Sequence, residues 1–240
     1  MSSDWSSDVC SSDLAGPLLS GAAGQPLAVF GGTFNPVHFG HLRSALELVE
    51  ALQLGELRFL PAARPPHRPA PRVAAQHRAA MLELAIAGEP RLRCDRRELE
   101  RPGPSYSVLS LRELRAEEGA ARPLCLVLGA DALAGLPQWY RWEELFTLAH
   151  VVALARPGWQ WPAGGEIVPV LRRRRCDAAA LAQSPAGGVL LQTLRPWDIS
   201  ATAIRGLLQS GRSARYLLPE RVLDYIGEHG LYRDERATGE

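Results

Sequence analysis

The chain has 240 residues, of which 46% are hydrophobic, and its formal net charge is +1. This length and apolar content suit one α/β domain with a sizeable core. A net charge so close to zero provides no overall field for nucleic acid or a membrane surface, so we expect neither as a partner.

All 27 basic residues are arginine, because the chain contains no lysine. This excludes a Walker A loop and a Schiff-base lysine, and leaves arginine, histidine, backbone N–H groups and a metal ion to handle any phosphate. The only basic cluster, 172–175, is typical of a solvated loop or helix edge. Four scattered cysteines without a CxxC pair argue against a zinc site and favour a reducing, cytoplasmic setting.

Three copies of Ser-Ser-Asp lie within the first 13 residues, in a polar stretch that lacks the apolar core of a signal peptide. We therefore expect 1–24 to be a disordered and non-native leader. The folded domain is expected over 25–233, followed by a tail over 234–240.

Strand-like and helix-like segments alternate along the domain, which predicts a parallel sheet wrapped by helices. Strands are predicted over Leu27–Phe30, Leu57–Leu60, Arg91–Cys94, Leu124–Leu128, His150–Ala155 and Val189–Gln192. Helices are predicted over His41–Leu54, Ala74–Ala87, Ser200–Gln209 and Pro219–His229, and from an N-cap at Ser105 to Gly119. The pattern degrades over 157–188, which we interpret as a variable insertion. We expect an α/β, Rossmann-like doubly wound parallel sheet, with its ligand crevice at the carboxyl ends of the strands and a small C-terminal helical part over 200–233.

The segment from Val29 to His41 is the most informative part of the chain. It contains a strand end, the glycine pair Gly31-Gly32, and the histidines His38 and His41 where a helix begins. Glycines allow a ligand to approach the backbone, and helix starts attract anions. Because side chains three residues apart share a helix face, the pattern predicts a phosphate site contacted by both imidazoles.

A second phosphate site is predicted at Ser200, where the sequence Asp-Ile-Ser-Ala-Thr-Ala-Ile-Arg runs from residue 198 to 205. Ser200 is a plausible N-cap, and Thr202 and Arg205 can face the same anion. An ordinary capped helix with a surface arginine is the alternative interpretation. Two phosphate-binding helix starts together suggest a nucleoside triphosphate held between them.

The first segment resembles the GGTF(D/N)PxHxGH signature of the nucleotidyltransferase superfamily, and the second resembles its ISSTxIR motif. From about Leu27 to Arg233 the chain is similar to bacterial nicotinate-nucleotide adenylyltransferases. Further matches are Pro65-Pro66-His67-Arg68, Ser105-Tyr106-Ser107, Gly129-Ala130-Asp131, Trp139-Tyr140, Ala155-Arg156-Pro157-Gly158 and Leu231-Tyr232-Arg233. Taken singly, each could be a loop residue, a helix cap or an aromatic packing cluster.

The resemblance implies transfer of the adenylyl group of ATP to nicotinate mononucleotide, with Mg²⁺ bound to ATP and no protein metal cage. It implies catalytic roles for His38, His41 and Arg205. The implied ATP-binding residues are Gly31, Gly32, Thr33, Phe34, His38, His41, Gly129, Asp131, Ile199, Ser200, Thr202 and Arg205. The implied substrate-binding residues are Asn35, His67, Tyr106, Ser107, Val108, Trp139 and Tyr140.

Two departures from the family pattern concern the mononucleotide. Asn35 stands where bacterial members usually have Asp, and Ala62 and Ala63 stand where the family usually has an asparagine. Alternatives for the function are another acceptor (nicotinamide mononucleotide, phosphopantetheine or a cytidine nucleotide), or a nucleotide-binding regulator without catalysis. An oxidoreductase is disfavoured because no G-x-G-x-x-G follows the first strand. We expect a monomer or a small homo-oligomer.

Overall fold

A computed structural model describes residues 24–65 and 71–233. Its strands are β1 (Leu27–Gly32), β2 (Glu56–Pro61), β3 (Leu92–Cys94), β4 (Leu124–Gly129), β5 (His150–Ala155) and β6 (Val189–Thr193). Its α-helices are α1 (Phe39–Ala51), α2 (Ala75–Ile86), α3 (Arg97–Glu100), α4 (Ser107–Glu118), α5 (Trp142–Leu148), α6 (Ile167–Arg174), α7 (Ala178–Leu181), α8 (Ala201–Gln209) and α9 (Glu220–Glu228). All six predicted strands and all five predicted helices are present, with ends that differ by a few residues.

The six strands form one sheet in the order β3-β2-β1-β4-β5-β6, and every neighbouring pair is parallel. The chain order reverses at β1, which lies between β2 and β4. Ligands of open parallel sheets bind outside the carboxyl ends of the strands at such a reversal. The segment after β1 is the one that carries the glycine pair and the two histidines, so the fold places it where a ligand is expected.

Helices cover both faces of the sheet, and the strands supply a different set of side chains to each face. Leu27 and Val29 pack in one layer with α4, α5 and α6, whereas Ala28 packs in the other layer with α1, α2, α8 and α9. This alternation follows from the two-residue period of a strand, and burial on both faces explains the continuous apolar runs. The prediction of a doubly wound α/β sheet is confirmed.

The prediction that Ser105 caps a helix is wrong. α4 begins at Ser107, its N-cap residue is Tyr106, and no side chain caps it. The Ser105 hydroxyl oxygen instead accepts hydrogen bonds from the backbone N–H groups of Ala63 (3.0 Å) and Arg64 (3.2 Å). Two donors from a distant loop thus occupy the oxygen that a cap would have used.

Some elements were not expected from the sequence. The short helices α3 and α5 lie in stretches for which no element was predicted, and the segment 157–188 contains α6 and α7. Within residues 24–65 and 71–233, no helix combines the length and apolar character needed to cross a bilayer. The expected leader over 1–24 falls almost wholly outside the described residues, as does the tail over 234–240.

Candidate active site

The buried ring of Phe34 fixes the backbone between β1 and His38. Phe34 is buried and has a positive φ of 45°, an uncommon conformation for a residue other than glycine. Its ring packs edge-on against Phe30 and Phe59, with centroid separations of 6.0 Å and 5.4 Å. A Cβ atom on Gly32 would lie only 2.8 Å from this ring. Glycine is therefore required at Gly32 by the aromatic packing beneath the turn.

The two histidines form a stacked pair at the start of α1. His38 is the N-cap residue and His41 lies in the first turn, with ring centroids 3.7 Å apart and planes inclined by 27°. Gly40 lies between them, and a Cβ there would come within 3.0 Å of His38 Nδ1. A side chain at Gly40 would therefore push the His38 ring away from its partner.

Both imidazoles are neutral at pH 7, because burial lowers the pKa of His38 to about 4 and that of His41 to about 3. The proximity of His38 adds to the shift at His41. The backbone N–H of His38 donates to His41 Nδ1 over 3.3 Å, so the ring proton of His41 resides on Nε2. His38 Nδ1 is buried and has no hydrogen-bond partner within the described residues. His41 thus carries an N–H donor rather than a positive charge.

The second predicted motif forms the start of α8, as expected. The Ser200 hydroxyl accepts a hydrogen bond from the N–H of Ala203 over 3.1 Å, so Ser200 is the N-cap. Arg205 donates through Nη2 to Thr202 Oγ1 (3.1 Å) and through Nη1 to the carbonyl oxygen of Asn35 (2.8 Å). One guanidinium therefore joins the two motifs directly.

Both motifs line one cleft of about 2120 Å³, larger than the ~300–1,000 Å³ of a pocket for one drug-sized ligand. The predicted residues around it are Gly32, Thr33, Phe34, Asn35, His38, His41, Ile199, Ser200, Thr202 and Arg205. Its other cationic or imidazole side chains are Arg72, Arg156, Arg195, Arg233 and His77. Among the described residues that line the cleft there is no Asp or Glu. This composition suits a ligand with several negative charges.

Five of the predicted substrate-binding residues surround a separate small cavity of about 100 Å³. Its described lining consists of Ser105, Tyr106, Ser107, Val108, Trp139, Tyr140 and Leu145. The Tyr106 and Tyr140 rings stack with centroids 4.6 Å apart, and Tyr140 is 49% exposed. Because the start of α4 has no side-chain cap, its first backbone N–H groups are available to a ligand. The cavity combines aromatic walls with an uncapped helix start.

The remaining predicted residues lie elsewhere. Gly31 is part of β1, Gly129 ends β4, and Asp131 lies in the 3₁₀ turn that follows β4. None of these three lines either cavity. His67 falls outside the described residues.

Two further residues contact the predicted motifs and were not identified from the sequence. Arg78 on α2 is 1% exposed and donates to the carbonyl oxygen of Thr33 over 2.6 Å. Tyr232 donates from its hydroxyl to Asn35 Oδ1 over 2.7 Å, and burial raises the pKa of Tyr232. The sequence signal for Arg78 is an arginine on the apolar face of a helix, in the same stripe as Leu82. Tyr232 belongs to the sequence match Leu231-Tyr232-Arg233, to which no function was assigned from the sequence.

The described residues contain no group of three or more His, Cys, Asp or Glu side chains that could hold a metal ion. The donors in the cleft are guanidinium, imidazole, hydroxyl and amide groups. Mg²⁺ prefers oxygen ligands such as carboxylates, phosphates and water. In this cleft the ion would therefore depend on ligand phosphates and water for its coordination.

The sequence resembles known proteins over most of its length. The family described as cytidylyltransferase-like matches residues 29–207. A probable nicotinate-nucleotide adenylyltransferase of Dechloromonas aromatica (strain RCB) is 49% identical over 216 residues, which cover 88% of this chain and 99% of that protein. A protein of Pseudomonas putida (strain W619) with the same description is 50% identical, covering 86% of this chain and 94% of its own length.

Solved structures of similar fold include a nicotinic acid mononucleotide adenylyltransferase of Plasmodium falciparum complexed with NaAD. It covers 87% of this chain and 97% of its own, with a TM-score of 0.62 and 15% identity. A putative nicotinate-nucleotide adenylyltransferase of Vibrio parahaemolyticus covers 88% and 96%, with a TM-score of 0.55 and 16% identity. At this low identity the two structures establish the likeness of fold alone.

Proposed function

Because the chain belongs to the nicotinate-nucleotide adenylyltransferase family, we propose its reaction and the roles of its residues together. The protein transfers the adenylyl group of ATP to nicotinate mononucleotide. The products are nicotinate adenine dinucleotide and pyrophosphate, so the reaction is a step of NAD biosynthesis. ATP is a substrate and not a resident cofactor.

One observation carries this proposal: Arg205 joins the two motifs predicted to bind phosphate, inside a cleft whose described lining has arginines but no carboxylate. A triphosphate is the ligand that such a pair of helix starts suits best, since each start presents the positive end of a helix dipole. In this arrangement α1 and the histidines hold one side of the triphosphate. The start of α8, with Ser200, Thr202 and Arg205, holds the other side.

We assign the histidines a role as hydrogen-bond donors. The Nε2–H of His41 points its proton at a phosphate oxygen, and His38 supplies a second contact from the stacked ring. A neutral donor that is already in position stabilises negative charge as it develops in the transition state, without a proton transfer. The arginines supply the positive charge, and they stay protonated at any pH of interest.

The reaction is an in-line displacement at the α-phosphorus of ATP. A 5′-phosphate oxygen of nicotinate mononucleotide forms the new bond, and the bond from phosphorus to the oxygen of pyrophosphate breaks. The nucleophile is already an anion at pH 7, so no strong general base is required. The chain aligns the two phosphates, and Arg205 and the histidines stabilise the leaving pyrophosphate and the α-phosphate. Mg²⁺ supplies neutralisation of the triphosphate charge when it is bound with ATP.

The small cavity beside α4 is proposed to hold the pyridine ring. The ring stacks on Trp139, beside the stacked pair Tyr106 and Tyr140, and the backbone N–H groups of Ser107 and Val108 take the nicotinate carboxylate. Hydrogen bonds to a charged group are roughly twice as strong as those to a neutral amide. The uncapped helix start therefore favours nicotinate over nicotinamide mononucleotide.

Asn35 is proposed to bind the mononucleotide through its side-chain N–H₂ group. The amide oxygen of Asn35 accepts from Tyr232 and its backbone carbonyl accepts from Arg205, so these two oxygens are already engaged. Four further residues are proposed to contact ATP or the substrate, and only the family pattern supports them: Gly31, Gly129, Asp131 and His67. We also propose that the protein is a monomer or a small homo-oligomer and that it acts in the cytoplasm.

The decisive experiment incubates the full chain with ATP and Mg²⁺, and with either nicotinate or nicotinamide mononucleotide, and identifies the products by mass. We expect nicotinate adenine dinucleotide and pyrophosphate, with a higher kcat/KM for nicotinate mononucleotide. Preferred turnover of nicotinamide mononucleotide would contradict the assigned acceptor. Tight binding of ATP without any product would support a regulator instead.

A further inference from the structure

We propose that Arg78 is a positioning residue that sets the placement of the ATP cleft relative to the pyridine pocket. The inference rests on the proposed function, because it assigns the two cavities to the two substrates. It adds a residue that lines neither cavity. It also gives the departure at Ala62 a structural context.

The guanidinium of Arg78 donates to backbone carbonyls of three separate segments. Nη1 donates to Thr33 in the glycine turn (2.6 Å), Nη2 donates to Ala62 just after β2 (2.6 Å), and Nε donates to Val73 just before α2 (3.3 Å). Ala62 and Val73 lie near the two ends of the loop that joins β2 to α2. A single side chain therefore fastens both ends of that loop to the turn that precedes the histidines.

The connection continues from the loop to the pyridine pocket. Ala63 and Arg64, the next two residues, donate their backbone N–H groups to the Ser105 hydroxyl oxygen (3.0 Å and 3.2 Å). Ser105 lines the small cavity, whereas Thr33 lines the large cleft. A connected path thus runs from the cleft to the cavity, through hydrogen bonds of Arg78, the backbone from Ala62 to Arg64, and the hydrogen bonds to Ser105. A displacement at Arg78 would change the distance between the bound phosphates.

Arg78 is unusual because it is a buried cation whose hydrogen-bond partners are all carbonyl oxygens. Burying a charge is costly unless hydrogen bonds compensate, so a purely structural position would favour an apolar residue or a carboxylate partner. Burial lowers the pKa of Arg78, yet a guanidinium remains protonated in proteins. Its planar fork reaches three acceptors at fixed angles, which the single ammonium of a lysine does not do.

The test compares Arg78→Lys and Arg78→Ala with a matched control, Arg58→Ala. Arg58 is also largely buried, but its partners are the carboxylates of Glu56 and Glu118, and none of these three residues lines either cavity. Each purified enzyme is assayed for kcat and for KM of both substrates, and its thermal midpoint is recorded. The Arg78→Ala enzyme is also assayed with about 20 mM guanidinium chloride and with the same concentration of sodium chloride.

We expect both Arg78 variants to raise KM for nicotinate mononucleotide and lower kcat by about tenfold or more, the size of effect for losing one charge-assisted hydrogen bond. Arg58→Ala lowers the thermal midpoint by about as much as the Arg78 variants do, but it leaves kcat and the KM for nicotinate mononucleotide near wild type. Guanidinium, but not sodium, restores part of the Arg78→Ala activity. If Arg78→Ala does not fold, the Arg78→Lys enzyme decides the question by the same kinetic constants.

Wild-type kinetics in either Arg78 variant would overturn the inference, even where the thermal midpoint falls. Equal kinetic losses in the Arg78 and Arg58 variants would also overturn it, since they would indicate general destabilisation. Failure of the proposed function has a different signature, because the wild-type enzyme itself would then form no nicotinate adenine dinucleotide.

Discussion

Arg205 donates a hydrogen bond to the backbone carbonyl of Asn35 over 2.8 Å, although the two residues are 170 positions apart in the chain. The same guanidinium donates to Thr202 one helical turn earlier. Helix α8, in the C-terminal part of the chain, is thereby connected to the segment that follows β1. Arg205 thus connects two walls of the cleft, and we also propose that it stabilises the leaving pyrophosphate.

Replacing Arg205 with lysine should show whether the contacts of Arg205 matter for catalysis or only for the stability of the fold. A lysine keeps the charge but cannot donate to Asn35 and Thr202 at once. We expect kcat to fall about 100-fold, which is typical for loss of one transition-state donor. Arg212→Lys is the control, because Arg212 is exposed, donates to Ser210 and does not line the cleft. An Arg205→Lys enzyme with wild-type kcat would remove Arg205 from the mechanism.

His41→Ala should lower kcat far more than it changes the free energy of unfolding. The substitution removes the Nε2–H donor that we place at the phosphate, and we expect a loss of about 100-fold. His229→Ala is a suitable control, since His229 is exposed and stacks on Tyr225 outside the cleft lining. Steady-state kinetics and urea denaturation measure the two quantities. A near-normal turnover number would contradict the role given to His41.

The stability of the protein should decrease as the pH falls from about 6.5 towards 4. Burial lowers the pKa of His38 and His41 to about 4 and 3, so the unfolded chain binds protons in this range and the folded chain does not. Stability is therefore present above pH 6.5 and is lost below it, by about 2 kcal/mol per ring at pH 5. The measurement is urea denaturation at pH 8 and pH 5.

A variant shows whether this loss comes from the histidine pair. His41→Asn should lose less stability between pH 8 and pH 5 than the wild-type enzyme. Burial also lowers the pKa of His150, which contributes the same background loss to both proteins. Identical losses in the two proteins would rule out His41 as a source.

Trp139→Ala should affect one substrate selectively. The loss of the stacking surface is expected to raise KM for nicotinate mononucleotide about tenfold, since one aromatic contact contributes ~0.5–1.5 kcal/mol beyond its buried area. KM for ATP should stay within about twofold, because Trp139 does not line the large cleft. Trp161→Ala is the matched control, since Trp161 packs against Trp159 and lines neither cavity. A change in KM for ATP alone would reverse the assignment of the two cavities.

The sheet could be predicted from sequence because most of its strands contain a short apolar run between glycine, proline or polar residues. β5 was predicted with both ends correct, and the start of α8 was predicted from Ser200 as N-cap. Both signals are local: the residue types within one window decide the structure. The same holds for the glycine and histidine positions before α1.

Features that depend on distant backbone groups could not be predicted. Ser105 was interpreted as a cap because a serine before a helix usually is one, yet its oxygen accepts from Ala63 and Arg64. Arg78 donates to carbonyl groups, and a carbonyl has no signature in a sequence since every residue has one. The helices α3 and α5 have only four and seven residues, too short for a hydrophobic period to be recognised.

The use of arginine for every basic side chain has a consequence for handling the enzyme. Guanidinium groups do not lose their proton in moderately alkaline solution, so the electrostatic attraction of the cleft for polyphosphates should persist where lysine-based sites weaken. An alkaline decline in rate would then not originate in a loss of charge from the basic side chains of the cleft. The side chains also offer no primary amine, so amine-selective reagents that inactivate lysine-dependent nucleotide enzymes should find no target among the side chains of this cleft.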